Sequence, residues 1–341
     1  MAAKLVRAMP IVHVLSCPEQ VYDLRWPALA AVSWRKNRKT NFNAPKDTMD
    51  DQTLDSLRKT ILAGFPDLAG SAFSLATAGW HSTAVDVDDR LIFKFPRHEI
   101  AERALIKEAS LLSAIRPNVS MAVPDLKLHE GPPLFSVHGK LKGEHLVTAD
   151  YDKLSETERR GLGRDLGQFY AELHRLDDGQ MAAAGAGPVE QWQTVETIRR
   201  KALPALPAAL HALAAETVEA FERLGPDPYG STYGFFDGHG WNMAFDHAER
   251  RLNGVYDFAD SGIGPLHREF IYSCFISPDL TARIVETYED LTGLALDRRR
   301  IAVLTGMHRL SELAELADDP EHAPTMLRSV ETWATTVARA N

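Results

Sequence analysis

The sequence predicts an α+β protein of two lobes: a small N-terminal lobe with a β-sheet and a helix, and a larger, mainly helical C-terminal lobe. Three observations carry this expectation. A strand-like run, Leu91–Pro96, is followed at once by a helical period from His98 to Ile115. Beyond Ser155 most periodic segments repeat at helical spacing. One interruption stands out in that helical half. Two apolar runs, Met243–Phe245 and Leu252–Tyr256, flank the polar segment His247–Arg251 and read as a β-hairpin.

Taken in order, residues 1–48 are expected to form an N-terminal extension outside the fold, because Arg35–Asp47 is polar, basic and aperiodic. Lys4 and Arg7 precede Pro10–Cys17 in the manner of a lipoprotein signal, but the apolar stretch is short and broken by His13. Met49 opens a helix through about Gly64, with Asp50 or Asp51 as its cap and Leu54, Leu57, Ile61 and Leu62 as its stripe. Gly79–Thr83 reads as a turn between strands. The helix after Leu91–Pro96 is expected to bury Ile100, Ala104, Glu108, Leu111 or Leu112, and Ile115, with Glu102, Arg103 and Lys107 pointing elsewhere. Residues 49–137 would form the N-lobe and 138–341 the C-lobe. Within the latter, Ser155-x-x-Glu158 is a capping box opening a helix with Leu162, Leu166, Phe169, Leu173 and Leu176 in period. Further helices are expected at roughly 190–201, 207–223, 266–276, 279–292, 296–317 and 321–339.

At 341 residues the chain is long enough for two cores, and its 45% apolar and 25% charged fractions are those of an ordinary globular protein. A net charge of −9 argues against nucleic-acid binding, which needs clustered Lys and Arg. No apolar run reaches transmembrane length, so no membrane partner is expected. Cys17 and Cys274 are too few and too far apart for a disulfide framework, as expected of a cytoplasmic protein. Nothing in the sequence indicates an oligomeric state.

The chemistry concentrates around the hairpin. Antiparallel pairing brings the start of one strand beside the end of the other, so Asn242 and Asp257 should be neighbours. Asp237 lies upstream in a Gly-rich loop short enough to bring its carboxylate to the same end. These hard oxygen donors suit Mg²⁺, which is usually completed by substrate phosphates. Lys94, inside an apolar strand, either snorkels to water or takes a partner, and Glu108 on the buried face of the next helix offers one. A Lys–Glu pair that holds nucleotide phosphates is part of kinase chemistry.

The stretch Tyr233–Gly264 resembles the catalytic and metal-binding segments of the aminoglycoside phosphotransferase/choline kinase-like family, where H-G-D-x-x-x-x-N is followed by a hairpin and then D-F-G or D-F-x-D-x-G. The resemblance covers about Gly79–Glu315 in outline. It implies a protein-kinase-like fold and ATP- or GTP-dependent phosphorylation of a hydroxyl on a small molecule. It implies Asp237 as catalytic base, Lys94 and Glu108 at the nucleotide phosphates, and Asn242 and Asp257 as Mg²⁺ ligands. The strand Pro132–Val137 leading to Gly143–Glu144 resembles the family's hinge, and Glu269 stands where an acid ties the catalytic loop to the next helix. His174 matches a frequent family L-H. His239 in the loop is a further candidate for contact with the acceptor, or for loop packing, and Asp260 after the hairpin for contact with substrate or metal, or for a solvated turn. The substrate could be aminoglycoside-like, an amino alcohol or a sugar; Glu312, Glu315, Asp318 and Asp319 would give a cationic one acidic company. Phe235, Phe236 and Ala259 depart from the family pattern and motivate an alternative, a catalytically weak pseudokinase or nucleotide-binding scaffold. An α/β-hydrolase reading lacks the G-x-S-x-G nucleophile elbow.

Overall fold

The computed structural model describes residues 53–76 and 82–340. The extension expected over 1–48, the helix opening at Met49–Asp51 and the tip Gly79–His81 of the expected turn lie outside the described residues. The first described helix, α1 (Leu54–Gly64), is capped by Thr53, whose hydroxyl accepts from the Ser56 N–H at 3.3 Å, and not by an aspartate. Ser82 and Thr83, assigned above to a turn, belong to a strand.

Five antiparallel strands form the N-terminal sheet: β1 (Phe73–Leu75), β2 (Ser82–Val87), β3 (Leu91–Pro96), β4 (Lys127–His129) and β5 (Phe135–Gly139), in spatial order β1-β2-β3-β5-β4. Side chains alternate along β3. Phe93 and Phe95 therefore join Leu57 and Ile61 of α1, with Val85, Val87 and Phe135, in one apolar core. Lys94 is left on the opposite face, where helix α2 (Glu99–Ile115) lies, capped by the His98 side chain. The buried stripe of α2 is Ala101, Leu105, Glu108, Leu111, Leu112 and Ile115. Ile100 is exposed and Ala104 only half-buried, so the first turn is rotated from the expected register. The His98 cap fixes where that first turn starts.

The C-terminal lobe holds α3 (Thr148–Tyr151), α4 (Glu156–Leu173), α5 (Asp178–Ala183), α6 (Val195–Ala205), α7 (His211–Arg223), α8 (Pro278–Thr292), α9 (Arg298–Leu316) and α10 (Ala323–Ala340). The capping box at α4 is complete: Ser155 N–H donates to Glu158 Oε2 at 2.6 Å, and Glu158 N–H to Ser155 Oγ at 3.4 Å. Helix α4 packs on α8 through Gly167, where a Cβ would stand 2.7 Å from Thr287 Cβ and 2.8 Å from the Ile284 carbonyl. The helical stripe read from leucines did not show this second contact face. The segment Leu266–Phe275 is not α-helical; it winds as 3₁₀ turns and is buried on nearly every side. Among the described residues no helix is long and apolar enough to cross a membrane.

Two small ribbons hold the central stretch. Strands β6 (Ser231–Gly234) and β9 (Gly262–Pro265) pair, tying its two ends together. Strands β7 (Met243–Asp246) and β8 (Arg251–Val255) form the expected hairpin, with a register shift at Ala244/Phe245. Met243, Ala244 and Phe245 are all buried, without alternation, because Phe245 also pairs with Glu144 from the segment that follows the N-terminal sheet.

Candidate active site

Asp237 follows β6 in a turn whose backbone is unusual for its residues. Phe236 has φ 53°, in the left-handed region that costs a bulky side chain energy. A buried carboxylate holds it there: Glu269 accepts the Phe235 N–H at 2.7 Å and the Phe236 N–H at 2.9 Å. His174 Nε2 lies 3.3 Å from the same Glu269, so this loop is tied to both α4 and the 3₁₀ segment. Phe235 packs its ring 4.6 Å from that of Phe258, while Glu269 engages the backbone.

The 3₁₀ turn Gly240–Asn242 then enters β7. A Cβ on Gly240 would meet the Leu146 carbonyl at 1.7 Å, and the Leu146 N–H donates to the Gly240 carbonyl at 3.0 Å. That close approach fixes the turn. Asn242 Nδ2 donates to Asp237 Oδ2 at 2.7 Å and to the Asp237 carbonyl at 3.0 Å. The Tyr256 N–H donates to the Asn242 carbonyl at 3.0 Å, which brings Asp257 beside Asn242 as the hairpin register predicts.

Asp257 also sits at positive φ, 69°. Lys94 Nζ lies 3.0 Å from Glu108 Oε2 and 3.5 Å from Asp257 Oδ1, while Glu108 Oε1 accepts the Phe258 N–H at 3.2 Å. Burial opposes the charge on Lys94, but Asp257 and Glu108 together outweigh it and hold the ammonium well above the ordinary lysine range. All five expected residues thus fall into one connected group.

The two donor oxygens suit a hard cation. Both amide hydrogens of Asn242 are engaged by Asp237, which leaves the amide oxygen as its ligating end, and the Asp257 side chain is 48% exposed. Among the described residues no cluster of three or more His, Cys, Asp or Glu is arranged around a metal position. An ion completed by phosphate oxygens and waters needs none.

Asp237 borders a cavity on its other side, lined by Phe236, His239, Trp192, Arg268, Tyr272, Phe275, His308 and Glu312 among others. His239 Nε2 is 3.1 Å from Asp237 Oδ1. Burial opposes protonation of this imidazole, but the Asp237 carboxylate outweighs it and raises its pKa. Of the four late acids, Glu312 and Glu315 line the cavity. Asp318 and Asp319 do not; they pair with Lys201 and His322 instead. Glu312 itself is matched by Arg309 at 2.7 Å and His308 at 3.4 Å. Asp260 lines the cavity as well. Trp192 and Arg268, whose guanidinium lies 4.6 Å over the Trp192 ring, carried no signal in the sequence, because nothing in a lone Trp or Arg tells which cavity it will face. Lys107, expected to point away, donates to the Ala259 and Ser261 carbonyls at 2.9 and 3.0 Å.

A family model described as the phosphotransferase enzyme family matches residues 73–304. The structure is similar to that of an aminoglycoside 2′-phosphotransferase-IIIa in complex with GDP, with TM-score 0.71 and 19% identity over 83% of this chain and 98% of that one. It is similar to a macrolide 2′-phosphotransferase, MphH from Brachybacterium faecium, with TM-score 0.62 and 17% identity over 81% and 98%. A streptomycin–ATP–APH(2″)-IIa ternary complex matches with TM-score 0.55 and 17% identity over 80% and 97%.

Proposed function

This chain belongs to the phosphotransferase enzyme family, and from that premise we propose that it transfers the terminal phosphoryl group of ATP or GTP to a hydroxyl of a small molecule. One observation carries the reading. Asp237 stands at the boundary between the Lys94–Glu108–Asp257–Asn242 group and the cavity, bonded to Asn242 on one side and lining the cavity on the other.

In this account Lys94, oriented by Glu108, holds the nucleotide phosphates. Asn242 and Asp257 would hold Mg²⁺, which when bound neutralises phosphate charge. The acceptor occupies the cavity and its hydroxyl donates a hydrogen bond to Asp237. As the new oxygen–phosphorus bond forms, the bond from the γ-phosphorus to its bridging oxygen breaks, the nucleoside diphosphate leaves, and the hydroxyl proton passes to Asp237. The Asn242 amide and the His239 imidazole keep the carboxylate aimed.

Support for the nucleotide comes from this Lys–Glu–Asp geometry and from the GDP and ATP held by similar structures. For the acceptor, the structurally similar enzymes include aminoglycoside and macrolide phosphotransferases. Aminoglycoside-like compounds, amino alcohols and sugars all carry the required hydroxyl. Because Glu312 is already matched by Arg309 and His308, the cavity wall is less available to a polycation than the count of late acids suggests.

The test is a phosphate-transfer screen across aminoglycosides, amino alcohols and sugars, with ATP and with GTP. Transfer to at least one hydroxyl is expected. Tight Mg²⁺–nucleotide binding with no phosphate moved to any acceptor or to water would favour the nucleotide-binding scaffold, a reading motivated by Phe235, Phe236 and Ala259.

A further inference from the structure

The loop after the hairpin, Asp257–Ser261, contains no glycine, yet its first residue sits at φ 69°. A non-glycine residue there is strained and persists only when its surroundings hold it. Part of that hold comes through Ser261, whose Oγ donates to the Phe258 carbonyl at 2.6 Å and accepts from Tyr233 OH of β6 at 2.9 Å, and part from Lys94 Nζ, 3.5 Å from Asp257 Oδ1. More comes from two consecutive residues of α2. Glu108 takes the Phe258 N–H at 3.2 Å, and Lys107 gives its ammonium hydrogens to the Ala259 and Ser261 carbonyls at 2.9 and 3.0 Å. The helix that orients Lys94 through Glu108 therefore also pins the far end of the loop that carries Asp257.

We propose that Lys107 is a positioning residue for the metal ligand Asp257, cross-linking the Ala259–Ser261 backbone to α2 so that the Asp257 carboxylate is held ready for Mg²⁺. This rests on the phosphotransferase reading given above. Lys107 makes its hydrogen bonds to the Ala259 and Ser261 carbonyls and not to Asp257; it acts through the loop. Carbonyls carry no sequence signature, so a lysine that seeks two of them looks like any solvated helix lysine.

The test compares wild type, Lys107→Met, which keeps the aliphatic stem, and Lys107→Arg, which keeps hydrogen-bond donors. ATP affinity is measured by calorimetry with and without Mg²⁺, and deuterium exchange over residues 256–263 is measured without metal or nucleotide. Groups that orient a metal ligand typically change metal affinity by about 10–100-fold, so Lys107→Met should weaken Mg²⁺-dependent ATP binding by about tenfold or more, while Mg²⁺-free binding stays within about twofold. Exchange over 256–263 should rise in the same variant, and Lys107→Arg should stay near wild type in both readouts. If the methionine variant does not fold, Lys107→Gln should move both readouts in the same direction by less. Unchanged Mg²⁺-dependent affinity in Lys107→Met overturns the proposal. So does an equal loss with and without Mg²⁺, which marks general damage, or a rise confined to the acceptor KM, which would make Lys107, itself at the cavity wall, an acceptor-binding residue and not a positioning one. A wild type with no Mg²⁺-dependent ATP binding removes the phosphotransferase reading itself, and this proposal with it.

Discussion

The two sides of the site that we propose for phosphate and for acceptor meet at Asp237 but are assembled differently. On the phosphate side, Asp237, Asn242 and Asp257 come from one short stretch, and a hairpin register places them. Lys94 and Glu108 come from a strand and the helix directly after it. On the acceptor side, Trp192, Arg268, Phe275, His308 and Glu312 come from a loop, a 3₁₀ segment and α9, far apart in the chain. Local geometry sets the first group, whereas only the packing of the whole C-terminal lobe sets the second. In the proposed function, phosphoryl transfer would thus rest on short spacings, and acceptor choice on long-range contacts.

Substitutions can break or sharpen this contrast. The largest effect on stability is expected from Lys94→Met. It leaves Glu108, 2% exposed, without its cation, and breaking a buried pair from one side costs about 3–5 kcal/mol. Urea unfolding measures it; a cost near zero would mean that Glu108 is satisfied without Lys94.

On the acceptor side, Glu312 provides the counterpart. Burial alone would raise its pKa, but Arg309 and His308 outweigh burial and lower it from 4.5 to about 2. A folded value below the unfolded one contributes stability that is complete above about pH 4.5 and lost as the pH falls toward 2. Its size is about 3 kcal/mol, so Glu312→Gln should be destabilised by roughly that amount at neutral pH and by less in acid. Unfolding curves at several pH values check this, and a deficit independent of pH would contradict it.

Gly240→Ala should cost about 1–3 kcal/mol, because the new methyl meets the Leu146 carbonyl and one backbone must shift. Nucleotide turnover should fall with it, as Asn242 closes the same turn. The smallest effect is expected from Asp318→Asn. This residue is 78% exposed and paired with Lys201 away from the cavity, so stability and acceptor KM should stay within about twofold. A marked rise in acceptor KM would extend the acceptor site beyond the cavity described here.

Much of the phosphate side was legible in the sequence. Lys94 is the one charged residue in the apolar run Leu91–Pro96, helical spacing puts Glu108 on the buried face, and the hairpin brings Asn242 to Asp257. The first turn of α2 departs from the expected register because Ile100 is apolar yet exposed, and apolarity alone does not separate the two faces there. Lys107 was missed because its partners are carbonyls. Asp318 and Asp319 were grouped with Glu312 and Glu315 by closeness in sequence, but they lie beyond the last turn of α9, where the chain leaves the helix and turns toward Lys201 and His322. The 3₁₀ winding of Leu266–Phe275 was hidden because its apolar residues fit a buried α-helix equally well.

The central claim is that Asp237 links the two sides as the proton acceptor. Asp237→Asn keeps an oxygen that can accept from the Asn242 amide, so the loop should hold its shape. Phosphate transfer to whichever acceptor the screen identifies should then fall about 10²–10⁴-fold, while Mg²⁺–nucleotide affinity stays at the wild-type value. Equal turnover in wild type and Asp237→Asn would contradict the account and remove Asp237 from the mechanism.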